Sequence, residues 1–124
     1  MIRRVISRET AQSLLTILRS VVEEGTGKEA ALEQYSVAGK TGTAQKVDPV
    51  TGRYSHQRVV ASFVGAVPAE SPRLVILVTI DEPEILRWGG SIAAPTFREI
   101  ARDALQYLQV PPSPTRQVRL VRAS

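Results

Sequence analysis

Val37-Ala38-Gly39-Lys40-Thr41-Gly42-Thr43-Ala44-Gln45 packs two glycines, a lysine and two threonines into nine residues. The surrounding stretch, Tyr35 to Lys46, reads as a first β-strand. Gly39 and Gly42 are unusual in a strand interior and suggest that another backbone comes close there. Downstream, Asp48-Pro49-Val50-Thr51-Gly52 is turn chemistry: proline fixes one dihedral and glycine allows positive φ. Arg58 to Val67 gives a second strand, and Pro68-Ala69-Glu70-Ser71-Pro72 a second turn. Leu74 to Ile80 is a third strand, nearly all β-branched or leucine, so both its faces are expected to be covered. Connections this short favour an antiparallel meander.

Upstream of the quoted stretch, Ser7 to Glu24 reads as an amphipathic helix. Ala11, Leu14, Leu15, Leu18, Val21 and Val22 recur at helical spacing, Ser7 suits the N-cap, and Glu9 suits the positive end of the helix dipole. Gly25 and Gly27 stop it, one of them expected in the left-handed conformation. Lys28 to Gln34 reads as a short helical turn or a loop. After the third strand, Glu82 to Gly90 is irregular. Pro95 then suits a helix start, and Thr96 to Gln109 forms a second amphipathic helix with Phe97, Ile100, Ala101, Ala104, Leu105 and Leu108 inward. The expected fold is α+β: a three-stranded antiparallel sheet flanked by N- and C-terminal helices. Residues 1–110 form the folded part, and 111–124 a Pro-rich basic tail expected to be disordered.

The 124 residues permit one small domain, with 43% hydrophobic and 23% charged residues, an ordinary globular balance. The absence of cysteine excludes disulfides and thiol nucleophiles, and a single histidine, His56, cannot build a His-based metal cluster. No metal or cofactor is expected. His56 reads as a solvated loop residue. The longest apolar run, Leu74 to Val78, is far below the ~18 residues that span a bilayer, and no signal peptide is visible. Part of the +4 net charge sits in the tail, as Arg116, Arg119 and Arg122. No aromatic residues interleave with them, so nucleic-acid binding is not indicated. Asp81, Glu82 and Glu84 cluster without forming an evident catalytic pair. Trp88 reads as a packing or rim residue, or as one near a cleft.

Lys40-Thr41-Gly42 matches the Lys-Thr-Gly motif shared by penicillin-binding proteins and serine β-lactamases. The similarity continues through Val5-Ile6-Ser7, Gly25-Thr26-Gly27, Ala61-Ser62-Phe63-Val64-Gly65-Ala66-Val67-Pro68-Ala69, Asp81-Glu82-Pro83 and Ala93-Ala94-Pro95-Thr96-Phe97. Over about residues 3 to 112 the chain resembles the C-terminal part of a class B penicillin-binding protein's transpeptidase domain, most of all the cell-division (septal) branch. The resemblance implies a penicillin-binding, peptidoglycan-crosslinking D,D-transpeptidase that acts through a serine ester, on the extracytoplasmic (periplasmic) face of the cell membrane. It implies a stem peptide or β-lactam as ligand and divisome proteins as partners of the intact enzyme. Lys40 would be the catalytic residue of this strand, placing its charge near the hydroxyl chain that moves protons. Thr41 would help to fix that lysine and line the site. Gly42 would leave room for the incoming peptide backbone. Thr43 would offer its hydroxyl to the donor's carboxylate and its N–H to the oxyanion hole. Read without the resemblance, Lys40 is an edge-strand lysine that deters pairing, Thr41 and Thr43 are ordinary strand residues, and Gly42 marks a bulge.

Two motifs of that family are absent. No serine has a lysine three residues later, and the chain contains no asparagine, so neither Ser-x-x-Lys nor Ser-x-Asn is present. A nucleophile and its base act as a unit, so the chain alone is not expected to acylate. The resemblance puts a membrane anchor, a pedestal region, two further strands and a helical lobe ahead of residue 1. The alternative is a non-catalytic binding module or pseudo-enzyme remnant of the same fold. In either case the third strand's far edge and the sheet's other face need a cover.

Overall fold

The computed structural model describes residues 3–83 and 89–114. Its elements run α1 (Arg8–Glu23), a 3-10 turn (Lys28–Ala30), β1 (Ala38–Val47), β2 (Tyr54–Val67), β3 (Leu74–Asp81) and α2 (Gly89–Tyr107). The strands form an antiparallel meander in the order β1-β2-β3. This is the expected α+β arrangement. Residues 84–88 and 115–124, with Glu84, Trp88 and the three tail arginines, lie outside the described residues.

Helix α1 begins as its sequence dictates, with the Ser7 hydroxyl accepting from the Thr10 N–H at 3.1 Å. It ends differently from expectation. Neither Gly25 nor Gly27 has positive φ; both N–H groups fold back onto the Val21 carbonyl, at 3.1 and 3.0 Å. Glycine is needed at 25 for space, because a Cβ there would lie 2.8 Å from that same oxygen. Most of the α1 stripe is only half-buried, and Val22 alone is fully enclosed.

Both helices pack on one face of the sheet. Phe63 and Val67 of β2 meet Val22 of α1 and Ala93, Ala94, Phe97, Ala101 and Leu105 of α2. The Phe63 and Phe97 rings stand 4.8 Å apart at 58°, a tilted contact that aromatic quadrupoles favour. Two glycines opposite each other in the ladder, Gly39 and Gly65, leave the slot for these rings. A Cβ on Gly39 would fall 2.4 Å from Phe63, and one on Gly65 2.6 Å from Phe97. The backbone approach expected at Gly39 is therefore filled by an aromatic ring.

Strand β3 departs from the expectation that both faces are covered. Leu74, Ile76, Val78 and Ile80 lean on the core, whereas Val75 and Leu77 are 72% and 66% exposed. Its apolar sequence lacks the polar alternation of a half-solvated strand, but the period-2 geometry still sends alternate residues to opposite faces. Among the described residues nothing lies over that face or pairs with the outer edge of β3.

Strand β2 starts at Tyr54 and the register with β1 shifts between Gln45 and Val47. There the Ser55 hydroxyl accepts from the N–H groups of Gln57 and Arg58, both at 3.1 Å. His56, expected in a loop, thus lies within β2 in this irregular stretch, exposed, with Nδ1 2.9 Å from Gln45 Nε2. The preceding turn is as expected: Asp48 Oδ1 accepts from the N–H groups of Val50 and Thr51, and Gly52 has φ +66°.

Helix α2 starts at Gly89, six residues before Pro95, so Pro95 is an interior residue and not the helix start. The Thr96 hydroxyl donates to the Ile92 carbonyl one turn back, at 3.3 Å. At its end, Gln109 takes φ +52° and donates to the Gln106 carbonyl, while Val110 donates to that of Leu105. These two bonds make a Schellman cap with glutamine in the position glycine usually occupies. Packing continues past 110. Ser113 is buried and its hydroxyl accepts from the Ser36 N–H at 3.0 Å, while the Ser113 N–H donates to the Gln34 carbonyl at 2.9 Å.

Candidate functional site

The four residues singled out in sequence fall together on β1, the edge strand of the sheet. Lys40 and Gly42 lie opposite Val64 and Ser62 of β2, which in turn pair with Leu77 and Thr79 of β3. That row is the bare face of the sheet. Lys40 is exposed, and its Nζ donates to the Thr41 carbonyl at 2.9 Å. A Cβ on Gly42 would meet Ser62 Oγ at 2.6 Å, so a neighbouring serine occupies the direction a side chain would take. The Ser62 hydroxyl itself donates to the Gly42 carbonyl at 3.4 Å.

Thr41 and Thr43 alternate with Lys40 and Gly42 and pair with Phe63 and Ala61. Thr41 is half-buried, with its Oγ1 3.3 Å from Thr26 Oγ1 in the glycine-flanked turn after α1. Thr43 is exposed. Sequence reasoning did not single out two hydroxyl side chains that lie against this strand, Thr26 and Ser62. Gly25-Thr26-Gly27 was a visible signal, since paired glycines around a hydroxyl residue mark a turn held close to something.

Charges gather at one end of the sheet. Lys46 reaches Asp81 at 2.9 Å and Glu82 at 2.7 Å, and Arg58 reaches Glu82 at 2.7 Å. Hydrogen bonds from Arg58 and then Lys46 hold the Glu82 carboxyl down to about 2. Glu82 also has φ +46°, an unusual value for a residue with a side chain. Asp81 and Glu82 of the acidic cluster read in sequence therefore work as part of a cross-strand ion network. At the other end, the Ser36 hydroxyl donates to the Glu70 carboxylate. Burial pushes that carboxyl up, but the Ser113 and Ser36 hydroxyls outweigh it and leave it below the ordinary value.

Among the described residues no group of His, Asp or Glu could hold a metal ion, and no helix is long and apolar enough to cross a membrane. A groove of about 470 Å³ between residues 31–35 and Arg98, Glu99, Arg102 and Gln106 of α2 contains none of the candidate residues. The candidate residues lie along the edge strand of the sheet.

With this geometry in place, similarity decides the family. The family described as "Penicillin binding protein transpeptidase domain" matches residues 2–102. The chain belongs to the transpeptidase-domain family of class B penicillin-binding proteins. It is 46% identical over 111 residues to stage V sporulation protein D of Bacillus subtilis, covering 89% of this chain and 17% of that protein. It is 47% identical over 120 residues to penicillin-binding protein PbpB of Mycolicibacterium smegmatis, covering 90% and 18%. Among solved structures, penicillin-binding protein 3 of Mycobacterium tuberculosis complexed with ampicillin superimposes with a TM-score of 0.79 at 38% identity, over 90% of this chain and 26% of that one. The apo TP domain of penicillin-binding protein 3 from Burkholderia pseudomallei gives 0.79 at 43% identity, over 90% and 34%. The chain thus spans under a fifth of the two curated relatives' length.

Proposed function

We propose that this chain supplies the Lys-Thr-Gly edge of a serine-type D,D-transpeptidase that cross-links peptidoglycan and is acylated by β-lactams. The observation that carries this reading is the placement of Lys40: exposed, on an edge strand, facing the side of the sheet that no helix of the described residues covers. An ammonium there stands where a second lobe brings a nucleophile and base to the strand. The outer edge of β1 receives the donor peptide or β-lactam as an added strand, so main-chain hydrogen bonds align the reacting carbonyl. Lys40 supplies positive charge to the proton-transfer chain. Thr41 supports the strand beside it. Gly42 keeps the strand surface low, and Thr43 offers its hydroxyl to the substrate carboxylate and its N–H to the developing oxyanion.

The chain contains neither Ser-x-x-Lys nor Ser-x-Asn, so acylation requires residues it does not supply. The apolar bare face, with Val64, Val75 and Leu77 exposed, is where the serine-bearing lobe packs. The enzyme works on the extracytoplasmic face of the membrane, where stem peptides are, and alongside division proteins. Relatives named penicillin-binding protein and the ampicillin complex of a similar structure support the ligand class.

The test is a hybrid in which this chain replaces the matching segment of a relative's transpeptidase. The hybrid is expected to be acylated by a fluorescent penicillin. Lys40→Ala in it should slow acylation by on the order of 100-fold or more, with the melting temperature unchanged. Equal acylation rates for the two hybrids would remove the role given to Lys40.

A further inference from the structure

We infer that Thr26 is a positioning residue for the Lys-Thr-Gly strand, acting through the Thr41 hydroxyl. The inference rests on the reading of that strand as the substrate-binding edge. Strand β1 is held by hydrogen bonds on one side, where Ala38 to Gln45 pair without a break with β2. Among the described residues nothing pairs with its outer side, and Gly39 and Gly42 flank the Lys40–Thr41 pair with no side chains to lock the backbone. Within residues 39–42 the inner-face side chain is that of Thr41, and its hydroxyl lies 3.3 Å from the Thr26 hydroxyl.

Thr26 is itself tightly placed. The Gly25 and Gly27 N–H groups on either side both donate to the Val21 carbonyl at the end of α1. A Cβ at 25 would lie 2.8 Å from that oxygen. One at 27 would press on Val22 Cγ2 at 3.3 Å and on the Phe63 ring at 3.4 Å. Phe63 is also the residue across the ladder from Thr41. The turn is therefore wedged between the end of α1 and the aromatic core, and it delivers one hydroxyl to the middle of the edge strand. Helix α1 sets the turn, the turn sets Thr41, and Thr41 sets the backbone that carries Lys40 and Thr43. Thr26 acts through the Thr41 hydroxyl, so its effect falls on alignment, not on proton transfer.

The ordinary role of a hydroxyl pair this exposed is a surface hydrogen bond that water replaces at no cost, and substitution separates the two. Thr26→Val keeps the shape and removes the hydroxyl; Thr26→Ser keeps the hydroxyl. In the hybrid transpeptidase, Thr26→Val is expected to lower the first-order acylation rate constant by roughly three- to tenfold. The initial affinity for the penicillin and the melting temperature should stay as they were, and Thr26→Ser should restore the rate. In the 124-residue chain, amide exchange at residues 40–43 should quicken in Thr26→Val and not in Thr26→Ser. Unchanged acylation and exchange in Thr26→Val would overturn the inference. So would an equal loss in Thr26→Val and Thr26→Ser. A parent hybrid that is not acylated, or one indifferent to Lys40→Ala, would instead overturn the reading on which it rests.

Discussion

The two faces of the sheet are built on opposite principles. On the helix-covered face, Gly39 and Gly65 are emptied of side chains so that Phe63 and Phe97 can fill one slot, and both rings are fully buried. On the other face, Val64, Val75 and Leu77 stand exposed on the same side as Lys40, with no element of the described residues over them. Close packing makes the first face intolerant of small changes in volume. The second resembles the half of an interface that stays apolar and available, next to the ammonium of Lys40. Stability is concentrated on one side of a single layer and proposed chemistry on the other, and the alternating strand period lets adjacent residues serve the two ends.

This contrast can be broken by measurement. Phe97→Ala should have the largest effect, lowering stability by about 3–5 kcal/mol and leaving the chain marginal or unfolded, read from the urea midpoint. Gly65→Val, which forces a side chain into the Phe97 ring, should cost about 1–3 kcal/mol. If it proved neutral, the slot would be looser than its geometry indicates. Leu77→Thr, on the bare face, should change stability by no more than about 0.5 kcal/mol and should reduce self-association in sedimentation. A loss comparable to that of Gly65→Val would mean that the face is covered.

The smallest effect concerns the ion network at the sheet's end, which belongs to neither face. Its folded-state carboxyl pKa at Glu82 is lowered from 4.5 to about 2. The folded state therefore holds the proton less tightly than the unfolded chain. The contribution is fully present above about 4.5 and fades as pH falls towards 2. Because the pair is exposed, it is also screened by salt. The melting-temperature difference between the parent and Glu82→Gln should accordingly be small at pH 7 and vanish near pH 2. A difference that grew on acidification would contradict the sign.

Much of the fold was legible because local signals and tertiary needs agree. Ser7 announced α1, Asp48 to Gly52 announced the first hairpin, and the strand order followed from short connections. The disagreements have specific causes. Pro95 resembles a helix start because proline suits a first turn, but α2 begins earlier and carries it inside. One of Gly25 and Gly27 is expected from sequence to be a left-handed cap, yet both serve close packing against Val21, a requirement invisible without the neighbour. Leu74 to Ile80 lacks any polar alternation, so one-sided burial could not be read from it. The candidate residues Lys40 to Thr43 were placed by motif, and the structure added what motif cannot give. Thr26 approaches Thr41 across 15 positions of sequence and Ser62 approaches Gly42 across 20. Ser113 docks on Ser36 across 77.

The central claim is that this chain carries the substrate edge of a transpeptidase and not its nucleophile. The most direct measurement is incubation of the purified 124-residue chain and of the hybrid with a fluorescent penicillin, followed by denaturing electrophoresis. The expected result is a covalent label on the hybrid and none on the chain. A specific label on the chain alone would show that one of its own serines is the nucleophile, and would contradict the claim.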